Sequence, residues 1–169
     1  KKQLDIIVAN SKENLFFMSD FLLFKDYLYA WRYMGRFEKP DFASYTYQGF
    51  SLQWLLGKAY KESNQSYFYY AILMERAIMR MKELDVDICL FVDWFENQSY
   101  DKSVYYAMHQ YYPEAKVHGY MGFIADSTIF PHIIASNKEL FCHIAPKDIY
   151  LCSSYLLKFY QNYNGYKHI

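Results

Sequence analysis

The chain has 169 residues, 53% hydrophobic and 22% aromatic, and its 18 Lys and Arg balance 18 Asp and Glu to a formal net charge of zero. A chain of this length buries roughly 70% of the surface that its unfolded form exposes, so intrinsic disorder is excluded and one domain over residues 1–169 is expected. Neutral charge supplies no bulk field for phosphate backbones, so no nucleic-acid partner is expected.

In chain order, residues 4–9 form a short β-branched apolar run bounded by charge and by Asn10, which predicts a buried strand. Asn10 with Glu13 three residues on has the form of a helix N-cap box. Phe17, Phe21, Phe24, Leu28 and Trp31 recur at alternating intervals of four and three, predicting one helix with a continuous apolar face that stops near Gly35. A loop with Pro40 leads to a helix over 51–62, residues 64–66 break it, and a longer helix is expected over 67–84 with Ala71, Met74, Ile78 and Met81 on its stripe. Residues 87–95 read Asp-Ile-Cys-Leu-Phe-Val-Asp-Trp-Phe, an unbroken stretch that predicts the central strand of a parallel sheet covered on both sides.

Tyr100, Val104, Ala107, Met108 and Tyr111 follow at helical spacing until Pro113 ends the helix after Tyr112. Strands over 116–123 and 148–152 enclose a mostly irregular stretch over 124–146, and Ser153 and Ser154 are read as caps of a last helix over 155–162. This order predicts an α/β fold with a Rossmann-like, doubly wound, mostly parallel sheet flanked by helices.

Cys89, Cys142 and Cys152 are odd in number and form no CxxC pair, so they are read as reduced thiols of a cytosolic protein and as small core residues. Cys142 and His143 adjoin, but neighbours on an extended segment point to opposite faces, so no metal site is expected. No apolar run reaches the roughly 18 to 20 residues that span a bilayer. The chain opens on Lys1 without a basic-then-apolar leader and is read as a portion of a longer protein.

Open parallel sheets place ligands outside the carboxyl ends of their strands. Asp93-Trp94-Phe95-Glu96-Asn97-Gln98 falls at such an edge, where a carboxylate accepts a hydrogen bond or a proton from a sugar hydroxyl and amides supply donors and acceptors. Glu96 is the candidate catalytic residue. The competing reading has Glu96 or Asn97 capping the helix that begins near Ser99. Asp101 lies one turn into that helix and reads as a dipole partner. Gly119 and Gly122 allow close approach of backbone to a neighbour, but neither GxGxxG nor GxxxxGK[ST] is present, so no phosphate cradle is legible. His118 reads as a satisfied histidine of the strand, and Tyr105, Tyr106, Tyr111 and Tyr112 read as packing residues.

Glu96-Asn97-Gln98, Asp101 three positions later, the helix containing Ala107, the segment from Lys116 to Tyr120, and Ala145-Pro146-Lys147-Asp148-Ile149-Tyr150-Leu151-Cys152 together resemble bacterial surface-carbohydrate biosynthesis proteins related to two-lobed GT-B glycosyltransferases. The similarity spans residues 35–164, and Met121-Gly122 stands where many relatives carry a His. The resemblance implies half of a GT-B-like architecture: an acceptor-side lobe serving capsule, O-antigen or lipopolysaccharide synthesis, with residues 153–169 leading toward a second, C-terminal lobe. It implies Glu96 as acceptor-side base or ligand, with Asn97, Gln98, Asp101 and Tyr120 in substrate binding. No cofactor is implied for this portion. The parent would take a nucleotide-sugar donor and a carbohydrate or lipid-linked acceptor in the cytoplasm, peripherally at the inner face of the membrane. The portion alone is expected to turn nothing over.

Two readings from other classes stand beside it. One is a non-catalytic interaction module that uses the aromatic helix face from Phe17 to Trp31, and its sign is an exposed apolar patch. The other is a flavodoxin-like nucleotide-binding or hydrolytic domain, which GxSxG or a Ser, His and Asp set would support and which this sequence lacks.

Overall fold

The computed structural model describes residues 16–33, 41–63, 66–122, 134–154 and 157. The expected strand over 4–9, the Asn10 cap, the Gly35 stop and most of the helix over 155–162 lie outside them. The described elements are α1 (Met18–Phe21), α2 (Phe24–Tyr33), a hairpin of β1 (Thr46–Tyr47) and β2 (Phe50–Ser51), α3 (Gln53–Ser63), α4 (Ser66–Glu83), β3 (Leu90–Trp94), α5 (Ser99–Tyr111), β4 (Lys116–Met121), α6 (Asn137–Phe141) and β5 (Asp148–Leu151). No helix among the described residues is long and apolar enough to cross a membrane.

The architecture is α/β, with helices packed on a three-stranded parallel sheet of order β3-β4-β5. Val92 lies opposite His118, and His118 opposite Asp148. α5 packs on the sheet through Val104, Ala107, Met108 and Tyr112, which meet Phe91 and Val117 below and Ile78 of α4 above. Phe95, Tyr105, Met121 and Ile149 continue the same core toward the other end of the strands, with Leu140 of α6 against it. Full burial of each such side chain contributes about 1.5–3 kcal/mol before conformational entropy is set against it. The Tyr112 hydroxyl donates to Val86 O at 2.9 Å and ties the end of α5 to the approach to β3.

The segment over 87–95 is not covered on both sides: Leu90, Val92 and Trp94 are each about half exposed, and among the described strands β4 is the middle one. An apolar run reports that side chains can be buried, not which neighbour a strand takes. The helices that pack on the sheet meet the face of Phe91, Val117, Met121 and Ile149, while Tyr120 and Tyr150 on the other face are exposed. The described elements form a three-stranded parallel α/β sheet flanked by helices. The three thiols are exposed, because each falls just beyond an element end: before β3, after α6 and after β5. The irregular stretch also contains α6, whose capping box of Ser136 and Glu139 was legible as Ser-Asn-Lys-Glu.

The aromatic helix differs most. The chain breaks at Leu22 and Leu23, and Phe24 (77%) and Trp31 (69%) stand in solvent. Asp26 and Ala30 are the buried residues of α2, roughly 200° around the helix from Phe24. The cause is a buried ion cluster. Asp26 Oδ1 accepts from Arg76 Nε at 3.0 Å and Arg80 Nη2 at 2.8 Å, and Oδ2 accepts from Arg80 Nε at 2.9 Å and the Leu23 amide at 2.9 Å. Such a fork fixes the rotation of α2 on α4 more strictly than apolar contact does, and the aromatic stripe is turned outward.

Burial pushes the Asp26 carboxyl up, but its bonds to Arg80, Leu23 and Arg76 outweigh this and hold it far below the usual range. A depressed carboxyl contributes stability above its unfolded pKa of about 4 and loses it as pH falls below that. Asp26→Asn is expected to lower the unfolding free energy by about 3 kcal/mol at pH 7, the scale of a broken buried pair. Urea denaturation from pH 7 to pH 3 checks this, with the gap to wild type shrinking below pH 4.

Candidate functional site

β3 ends where Phe95 turns into the core. Its amide donates to Tyr120 O at 2.9 Å, one residue beyond the strand, and its ring meets Tyr105 edge-on at 5.9 Å. β4 passes close above it. A Cβ on Gly119 would stand 2.9 Å from Pro146 Cγ and 3.0 Å from Phe95 Cβ, so the glycine is what admits the buried phenyl ring. With Phe95 committed inward, the following residues emerge at the carboxyl edge of the sheet.

Asn97 reverses the chain at φ +56, a left-handed conformation that asparagine tolerates better than most residues. Asp101 then reaches back, and its Oδ2 accepts the amides of Glu96 at 3.0 Å and Gln98 at 2.9 Å. This is the capping interaction for α5, supplied by neither Glu96 nor Asn97. The Glu96 carboxylate is left to other groups: Oε1 accepts from Trp94 Nε1 at 2.9 Å and Oε2 accepts from Gln98 Nε2. The Trp94 indole in turn lies over Gly122, where a Cβ would come within 2.5 Å of Cη2, and it meets the Tyr120 ring edge-on at 5.8 Å.

Glu96, Gln98 and Tyr120 therefore share one accessible patch around Trp94. Asn97 and Asp101 serve that patch from beneath: Asp101 is fully buried, and the Asn97 amide oxygen is buried within the turn. Two participants escaped the sequence reading. Trp94 precedes Glu96 by two residues, the spacing that puts side chains on one side of an extended segment, and this was the available signal. Asp93 projects to the covered face of β3, next to Asp101 and Tyr105. Burial, with repulsion from Asp101, pushes its carboxyl up to about 6, partly opposed by the Tyr105 hydroxyl and the Trp94 amide. Burial also raises Asp101, against the pull of the Gln98 and Glu96 amides.

Chemically, the patch combines an aromatic plane, a carboxylate with open lone pairs and an amide, which suits a ligand with one apolar face and several hydroxyl donors. The negative field of Asp93, Glu96 and Asp101 disfavours an anion at the same spot. Among the described residues no three His, Cys, Asp or Glu side chains are arranged to hold a metal ion. Comparisons with known protein families, with curated proteins and with solved structures find no match.

A raised carboxyl contributes stability in its protonated form, present at about pH 4 and lost as pH rises through 6. Thermal unfolding between pH 4.5 and 7.5 is therefore expected to show a steeper loss of melting temperature for wild type than for Asp93→Asn. Equal slopes would contradict the assignment.

Proposed function

We propose that this chain is the acceptor-side lobe of a glycosyltransferase-like protein of bacterial surface-polysaccharide synthesis, one half of a doubly wound, two-lobed architecture. The observation that carries the reading is the Glu96 carboxylate, held by two side-chain donors beside the exposed rings of Trp94 and Tyr120 at the carboxyl edge of a parallel sheet. In sugar transfer the acceptor hydroxyl must shed a proton as it attacks the anomeric carbon of the donor. A carboxylate has about four lone-pair sites; Trp94 and Gln98 occupy two, fix its orientation, and leave two for that hydroxyl. Trp94 offers its ring to the apolar face of the acceptor sugar.

The acidic surroundings fit an acceptor better than a nucleotide diphosphate, whose charge would be met by the second lobe. The chain alone then binds acceptor and transfers nothing. A carbohydrate or lipid-linked acceptor places the protein in the cytoplasm at the inner face of the membrane. One observation favours a second reading: the solvent-facing stripe of Phe24, Leu28 and Trp31 on α2 is what a protein-interaction module would present.

In the intact protein, Glu96→Gln is expected to lower sugar transfer from a nucleotide donor by roughly 100-fold or more, the range of general base catalysis, with a melting temperature close to wild type. Unchanged turnover would reduce Glu96 to a brace for Trp94.

A further inference from the structure

At the opposite, amino edge of the sheet a cleft of about 490 Å³ opens where β4 and β5 begin. His109 of α5 and His143 of the turn after α6 stack ring on ring across it, their centroids 3.7 Å apart and their planes 15° from parallel. His143 takes this place at φ +56, a conformation that side chains with a Cβ adopt at a cost. Lys116 and Lys147 line the same cleft. Asp148 and His118 line it too, Asp148 Oδ2 lying 3.6 Å from His118 Nδ1, which is buried without a hydrogen-bond partner. Pro113, Tyr112, Pro146 and Tyr150 supply an apolar wall.

Burial, then His109 and Lys147, keep the His143 ring toward its neutral form. His109, Lys116, His143 and Lys147 thus line one cleft from three separate segments, with His118 beside Asp148. A tetrahedral oxyanion can satisfy donors from several directions, whereas a planar carboxylate presents two oxygens. The volume is that of a small-molecule site.

We infer that this cleft binds the phosphoryl group of a small phosphorylated molecule, with His109, His143, Lys116 and Lys147 as donors and the Tyr112–Tyr150 wall against the rest of the ligand. The site is separate from the Glu96 patch, and its fate does not depend on the glycosyltransferase reading. The other titratable groups lining the cleft are Tyr105 of α5, Tyr112 just after it, Lys116 and His118 from β4, and Lys147, Asp148 and Tyr150 at β5. An anion beside His143 favours the protonated form of that ring, so binding takes up a proton. Affinity then rises as pH falls, by at most roughly tenfold per pH unit for one proton.

Sulfate is the probe for this linkage, since it stays a dianion from pH 6 to 8, and acetate, inorganic phosphate and phenyl phosphate complete the set. Isothermal titration, with imidazole resonances followed by NMR, is expected to show sulfate binding several-fold tighter at pH 6 than at pH 8, acetate binding much more weakly, and phenyl phosphate binding more tightly than phosphate. Lys147→Gln and His143→Asn, the latter chosen because asparagine keeps the left-handed backbone, should each weaken sulfate by roughly tenfold, the loss of one charge-assisted hydrogen bond, with melting curves close to wild type. Acetate binding as well as sulfate, or sulfate affinity unmoved by Lys147→Gln, would overturn the site. Phenyl phosphate binding no tighter than phosphate would overturn the role given to the apolar wall.

Discussion

The burial of Phe95 is the constraint on which the carboxyl edge of the sheet depends. Its ring fills the space between Tyr105, Met121 and Ile149, and it enters only because Gly119 carries no side chain there. Once that ring is fixed, the chain has one exit. Glu96 must leave toward solvent, Asn97 must turn, and the Glu96 and Gln98 amides come within reach of Asp101. Gly122 then clears the ground on which the Trp94 indole lies. Two glycines that make no phosphate loop thus shape a different surface, one by admitting a core residue and the other by admitting an exposed indole.

The same logic explains why buried charge appears on both sides of the helical layer with opposite consequences. Asp26 is buried with two arginines, so its charge is compensated and it orients α2. Asp101 is buried and Asp93 half-buried beside it, with amides and a hydroxyl for partners, so their charge is only partly compensated. The first arrangement defines a helix rotation. The second leaves a carboxyl poised near neutrality beneath an exposed patch, a combination that clusters at functional sites in proteins generally.

Much of the fold was legible from periodicity. The stripes of α4 and α5, the stop at Pro113 and the strand cores at β3, β4 and β5 follow from spacing and composition alone. Strand order was not, because pairing is decided by contacts distant in sequence. The facing of α2 was not, because one aspartate meeting two arginines about 50 residues away overrides an aromatic stripe that periodicity alone would bury. At the site, Glu96 and Gln98 could be named from their place after a strand, whereas the inward course of Asp101 and Asn97 depended on how the turn closed. The stacked histidines were invisible, since His109 and His143 are distant in sequence and meet only once α5 and the turn after α6 are packed together.

The two edges of the described parallel sheet differ in charge: acidic groups gather at the carboxyl edge, where we propose a hydroxyl-rich ligand, and basic groups at the amino edge, where we propose an oxyanion. The most direct measurement of the first claim is an NMR titration of this chain with bacterial surface oligosaccharides, following the three tryptophan indole N–H signals and the Glu96 side-chain carboxyl. The Trp94 indole and the Glu96 carboxyl are expected to move together and saturate at one dissociation constant while Trp31 and Trp54 stay still. Saturating shifts at Trp31 with Trp94 unmoved would contradict it.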